Sequence, residues 1–194
     1  MPPKEKYTRD NVIEAAFDIV EKRGLSDLTA RRIAAKLGSS TAPVYKYFET
    51  MDELSLEIIR IIKEMLLDYT SRPYTERVFL NMGTGVALFA CQHKQLYRAL
   101  LLEKANFGDV VEEFLVILEN KLPDDERLKL LSPEERHILL QKMWTYTHGL
   151  ASLICVGLIE NCNQEFIINN LIDVGTDVIG ATLAKHKSEN TENK

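Results

Sequence analysis

Residues 22–54, KRGLSDLTARRIAAKLGSSTAPVYKYFETMDEL, constrain the fold more than any other stretch of the chain. Thr29 is placed to cap a short helix, its side-chain oxygen accepting a backbone N–H that the first turn leaves unpaired. Ile33, Ala34 and Leu37 follow at helical spacing and give that helix a small apolar face. Gly38 is the stop, because glycine enters the left-handed conformation at little cost. After Ser39 and Ser40, the segment Thr41 to Phe48 offers Val44, Tyr45 and Phe48 as the packing side of a second helix. Two short helices folded over one tight turn make a helix-turn-helix, whose second helix can lie in a DNA major groove.

Charge supports this once the motif is in place. Between Lys22 and Thr50 stand Lys22, Arg23, Arg31, Arg32, Lys36 and Lys46 against Asp27 and Glu49, a net +4. The whole chain carries −5. On charge alone such a patch is an ordinary solvated surface. On a helix-turn-helix at one end of an acidic body it is a footprint for phosphate.

The stretch LTARRIAAKLGSSTAPVYKYFETMDEL resembles the DNA-binding signature of the TetR family of transcriptional regulators. Thr29, Ile33-Ala34, Gly38, Tyr45-x-Tyr47-Phe48 and Leu54 sit at the family's spacing, and Thr8 to Gly24 matches its first helix. The resemblance implies an all-α protein. A three-helix head, residues 1–49, would bind DNA, and a helical body, residues 50–194, would bind a ligand and dimerise. Two features depart from the family pattern. Met51 stands where the family often has a phosphate-approaching Lys, and Pro43 lies inside the recognition helix, in a first turn that tolerates its missing N–H.

The remainder reads as a succession of helices, about nine in all, with almost no strand signal. The first, Arg9 to Lys22, carries the stripe Val12, Ala15, Ala16, Ile19 and Val20. Thr50 and Glu53 form a capping box that opens a long linking helix to about Tyr69. Helices follow over Thr75–Gln92, Gln95–Lys104, Gly108–Leu122, from the capping box Ser132/Glu135 to about Ile159, and Gln164–Lys185 behind an Asn163 cap. The tail from Lys187 is polar and expected to be disordered. The last two helices are apolar over too much of their surface for a monomer. They are expected to pair with their copies across a two-fold axis, as the family does.

At 45% hydrophobic content the chain is ordinary globular material. No apolar run follows the first lysines, and the longest uncharged apolar tract, His148 to Ile159, falls short of the roughly 20 residues a membrane span needs. A cytoplasmic protein with no membrane association is expected. Cys91, Cys155 and Cys162 form no CxxC pair and read as reduced thiols.

The residues expected at DNA divide by reach. Ser40, Thr41, Ala42 and Pro43 form the turn that meets base edges, Ala42 and Pro43 suiting a thymine methyl. Thr29, Tyr45, Lys46 and Tyr47 are the phosphate set, by resemblance and by reach, and Arg31 is the candidate for a bidentate base or phosphate contact. The recognition helix holds no Arg, Asn or Gln, so DNA shape should carry much of the discrimination. The operator is expected to be palindromic.

In the body, Tyr69, Phe89, Tyr97, Phe107, Phe114, Trp144 and His148 suit a mostly apolar effector pocket. Glu134-x-x-His137 is half of a di-iron helix signature, but Glu is favoured in a first helical turn in any case. No catalytic motif, metal site or cofactor is expected. The readings left open are a ligand-released repressor, a regulator of the same fold governed by a protein partner, and a helical enzyme or carrier whose basic head is incidental.

Overall fold

Side-chain caps set where the helices begin. In the computed structural model, which describes residues 7–103 and 108–192, Thr8 opens α1 (Arg9–Arg23) by a reciprocal box with Asn11. Its hydroxyl accepts the Asn11 backbone N–H at 3.2 Å and the Asn11 side-chain Oδ1 accepts the Thr8 backbone N–H at 3.1 Å. Thr29 opens α2 (Ala30–Leu37), and Ser132 with Glu135 opens α8 (Pro133–Cys155). Asn163 opens α9 (Gln164–Glu192), its side chain accepting the Phe166 N–H at 2.8 Å. Between these lie α3 (Ala42–Tyr47), α4 (Met51–Ser71), α5 (Val78–Gln92), α6 (Lys94–Leu101) and α7 (Gly108–Lys121). The described residues hold nine α-helices, two short 3-10 turns and no strand, so the all-α expectation stands.

Contacts divide the chain into two compact units, Met1–Glu64 with His93–Val111, and Met65–Gln92 with Glu112–Lys194. In the first unit, α1 buries the stripe read from the sequence, Val12, Ala15, Ala16, Ile19 and Val20, against α2, α3 and α6. Ile33, Val44, Phe48 and Leu54 complete that core. The unit also includes α4 as far as Glu64 and all of α6, whose Leu96 and Tyr97 are fully buried.

In the second unit α5 is the central helix, buried along most of its length and packed on α8 and α9. Gly85 makes this possible. A Cβ there would lie 2.2 Å from the Tyr69 carbonyl oxygen and 2.7 Å from the Thr70 Cα, so α4 and α5 touch backbone to backbone. The N-terminus of α5 is capped from 46 residues away, by the Asp125 carboxylate, which accepts the Phe79 N–H at 3.2 Å. Burial would push that carboxyl up. The Arg127 guanidinium at 2.9 Å and two backbone N–H donors outweigh it and hold the group below its ordinary 3.8. Asp125→Ala should therefore cost about 2 kcal/mol at neutral pH, the cost of an orphaned buried N–H and a lost cap. A depressed folded-state value means the carboxylate's contribution is whole above 3.8 and is lost as pH falls through the lower folded value. Urea unfolding of both proteins should show the gap closing in acid; a gap that persists there contradicts the assignment.

Several local expectations are corrected. α5 begins at Val78 rather than Thr75, because the Thr75 hydroxyl takes the Arg77 N–H in a turn that competes with helix. α8 ends at Cys155 rather than near Ile159. Gly157, at φ +79°, stops it, with the Leu158 N–H reaching back to the Leu153 carbonyl at 3.0 Å. Glu53 reaches back to the Glu49 N–H at 2.8 Å, one residue beyond the expected partner. The polar tail is not free of structure, as α9 continues to Glu192.

The largest correction concerns the cysteines. Cys91 and Cys162 are joined in a disulfide with Cα atoms 6.1 Å apart, and Cys155 is a buried thiol outside that bond. A separation of 71 residues gave no sign that the end of α5 meets the segment ahead of α9.

Candidate nucleic-acid interface and effector cavity

The turn between α2 and α3 is built almost wholly from local bonds. The Thr29 Oγ accepts the Arg32 N–H at 3.3 Å. Gly38 adopts φ +63°, and the Ser39 N–H closes onto the Ala34 carbonyl at 2.9 Å. The Ser39 hydroxyl donates to the Ser40 carbonyl and the Ser40 hydroxyl accepts the Ala42 N–H. Pro43 occupies the first turn of α3, where its missing N–H costs nothing. Val44 and Phe48, four apart, take the inner face.

Tyr45 does not share that face. It is 54% exposed, because in so short a helix the position after Val44 is rotated about 100° away from the core. Ser40, Ala42 and Lys46 are also exposed, and Thr41 and Pro43 half so. Tyr47 is tied instead: its hydroxyl donates to the Tyr7 carbonyl at 2.8 Å, and the Tyr7 hydroxyl donates to the Gly38 carbonyl at 3.2 Å. That chain of bonds holds the start of α1 to the turn and to the end of α3. The Lys46 ammonium lies over the Tyr47 ring at 5.1 Å.

The six cations of this stretch are not equivalent. Lys22 and Lys36 both pair with Asp18, holding that carboxyl below its usual range. Arg32 pairs with Asp27 at 3.1 Å, and Arg23 is 4.0 Å from it. Arg31 is exposed and makes no ion pair among the described residues. Arg31, on α2, and Lys46, on α3, are both exposed. At the start of α4, where Met51 stands, the Glu53 N–H is taken by Thr50 and the Glu49 N–H by Glu53.

In the second unit, α5, α8 and α9 line a partly open, mostly apolar cavity of about 50 Å³, walled by Met82, Val86, Met143, Trp144 and Leu171, with Arg77 and Arg127 also lining it. Of the aromatic set read from the sequence, Trp144 reaches this wall. Phe114 meets it edge-on at 5.8 Å and His148 stacks on it at 5.4 Å, burial lowering the imidazole's pKa. Phe89 is fully buried against Tyr69, which lines a second cleft. Tyr97 is packed in the first unit, and Phe107 lies outside the described residues. The methionines and Leu171 were missed because an apolar helix face gives no sign of which of its members border a void.

Residues 12–58 match the family model described as bacterial regulatory proteins, tetR family. The chain is 38% identical over 81 residues to the HTH-type transcriptional repressor DrrR1 of Streptomyces coeruleorubidus. That match takes in 42% of this chain and 27% of the repressor's length. Among solved structures, a TetR transcriptional regulator from Streptomyces coelicolor superposes with TM-score 0.66 at 14% identity, covering 90% of this chain and 98% of that one. The multidrug binding protein EbrR, solved with imidazole, gives 0.59 at 15% identity, over 88% of this chain and 94% of EbrR.

Proposed function

We propose that this chain, a member of the TetR family of DNA-binding transcriptional regulators, is a homodimeric repressor that a small, mostly apolar molecule releases from a palindromic operator. The observation that carries the reading is the solvent-facing first turn of α3 on a core-anchored helix-turn-helix whose surface also carries Arg31 and Lys46. Ser40 to Pro43 read base edges, and Thr29, Arg31, Tyr45 and Lys46 hold phosphates. Tyr47 positions α3 from behind through Tyr7. The repressor DrrR1 supports the sign of regulation, and a protein acting on DNA in this way works in the cytoplasm.

The dimer reading rests on α8 and α9. Ile138, Gly149, Leu153 and Val156 form one exposed stripe along α8, Val156 being 60% exposed. The stretch Gln164–Ser188 is apolar and long enough to cross a membrane, and only 22% of its 18-residue apolar window is buried within the protomer. Asp173 and Asp177 interrupt it, which favours a partner helix in water over lipid. A side chain added at Gly149 would meet nothing within 4 Å in the protomer. Gly149→Phe should therefore keep the fold and separate the dimer. Sedimentation at micromolar concentration should give a monomer for the variant and a dimer for the parent; a monomeric parent ends the idea.

Release needs an effector that binds the non-DNA state better. Pockets for such ligands run to roughly 300–1,000 Å³, far above the cavity of about 50 Å³ between α5, α8 and α9. An effector must then part α5, α8 and α9 to enter, which is how occupancy becomes a conformational change. EbrR's description as a multidrug binding protein supports a small-molecule occupant. Titrating candidate apolar ligands against the operator complex tests this; tight binding that leaves operator affinity unchanged refutes the coupling. Control by a protein partner is the second reading, and it gains ground if Leu153 and Val156 stay uncovered in the dimer.

A further inference from the structure

The disulfide closes a covalent loop between the last turn of α5 and the segment just ahead of α9. Cys91 and Cys162 are both half-exposed and line an open cleft of about 640 Å³ with Arg72, Tyr74, Gln92 and Glu160. The remaining thiol, Cys155, is buried. A disulfide in a DNA-binding protein of the cytoplasm belongs to the transient, redox-responsive kind.

We infer that Cys91 and Cys162 are a reversible oxidation site, a thiol pair that hydroperoxides close and small thiols reopen, tethering the start of α9 to the end of α5. The cleft is open and lined by both cysteines, which gives both reagents access to the sulfurs.

The helix ends assign the roles. Cys162 directly precedes Asn163, the cap of α9, where the partial positive charge of a helix N-terminus favours a thiolate. Cys91 lies in the last turn of α5, where the opposite partial charge disfavours one. Cys162 is therefore the attacking group. Its thiolate takes the terminal oxygen of a hydroperoxide, the O–O bond breaks, and an alcohol leaves after gaining a proton, with Cys162 left as a sulfenic acid. The Cys91 thiol then attacks that sulfur and water departs. Two thiols and one hydroperoxide give a disulfide, an alcohol and water, with two electrons passing from sulfur to oxygen. In reverse, two molecules of a thiol such as glutathione restore both cysteines and leave as their own disulfide.

The regulatory consequence rests on the proposed function. Since α5 and α9 wall the cavity that an effector must part, a bond between their neighbouring ends restrains that parting. The oxidised form should keep its operator at effector concentrations that release the reduced form, by a factor of at least about three.

The full chain, reduced and then given one equivalent of hydrogen peroxide, tests the chemistry by intact mass and thiol labelling. The parent and Cys155→Ser should each lose two hydrogens and recover them in millimolar glutathione. Cys91→Ser and Cys162→Ser should not lose them. A sulfenic-acid reagent should label Cys91→Ser at Cys162 and leave Cys162→Ser unlabelled. A bond that peroxide does not re-form, or that glutathione does not open in the folded protein, overturns the inference; the reversed labelling pattern overturns the roles. Equal effector response in both forms overturns the regulatory consequence. If neither form binds duplex DNA while the thiol chemistry proceeds as stated, the proposed function fails and the oxidation site stands.

Discussion

Arg31→Glu combined with Lys46→Glu should reduce operator affinity at least a thousandfold at physiological salt while leaving the fold intact. Neither residue belongs to the buried core, so circular dichroism and melting should match the parent. The effect is large because each charge reversal removes a cation from the exposed surface of the helix-turn-helix and puts an anion in its place. In a dimer the double change turns four exposed cations into four anions at the phosphate backbone. Each lost phosphate contact removes about 0.9 from the log–log salt slope, and reversal adds repulsion. Lys46→Ala alone should flatten the slope by about one unit for each protomer engaged. An unchanged slope in Lys46→Ala removes Lys46 from the contact set. A double variant that binds as the parent does removes this face of the head from the account.

Gly85→Ala should be the most destabilising single methyl group in the molecule. The added carbon falls 2.2 Å from a backbone carbonyl oxygen, not from the end of a side chain that could rotate away. α4 and α5 must separate, and α5 is the helix on which α8 and α9 pack. Overpacking of this kind costs about 3 kcal/mol or more, after alanine's better helix propensity has offset up to about 1 kcal/mol. Against a total stability of about 5–15 kcal/mol that is a large share. The melting temperature should fall by about 10 °C for a chain of this size. Thermal unfolding measures it, and a variant that melts with the parent means the two helices do not approach as described.

The head was legible in the sequence because its geometry is local. Thr29, Gly38, Pro43 and Thr50 each act within five residues of themselves, so their roles follow from spacing. Electrostatics there was only half legible. The count of six cations was visible, but Asp18 neutralises Lys36 across 18 residues, and no spacing rule reports that. The body's helices were legible from periodicity, while what joins them was not. The Asp125 cap on α5, the Gly85 contact and the Cys91–Cys162 bond all link residues brought together by tertiary packing. The same limit applies to the cavity. Aromatic side chains drew the expectation, and packing assigned most of them to cores, leaving Trp144 at a void lined mainly by aliphatic side chains and two methionines.

Selection of bound duplexes from a random pool by the purified protein tests the central claim most directly. The account predicts an inverted repeat whose half-site centres lie one helical turn of DNA apart, about 34–36 Å or a multiple of it. It also predicts that the Arg31→Glu/Lys46→Glu protein enriches nothing. No enriched sequence from the parent protein, or an enriched sequence that the double variant selects equally well, would contradict it.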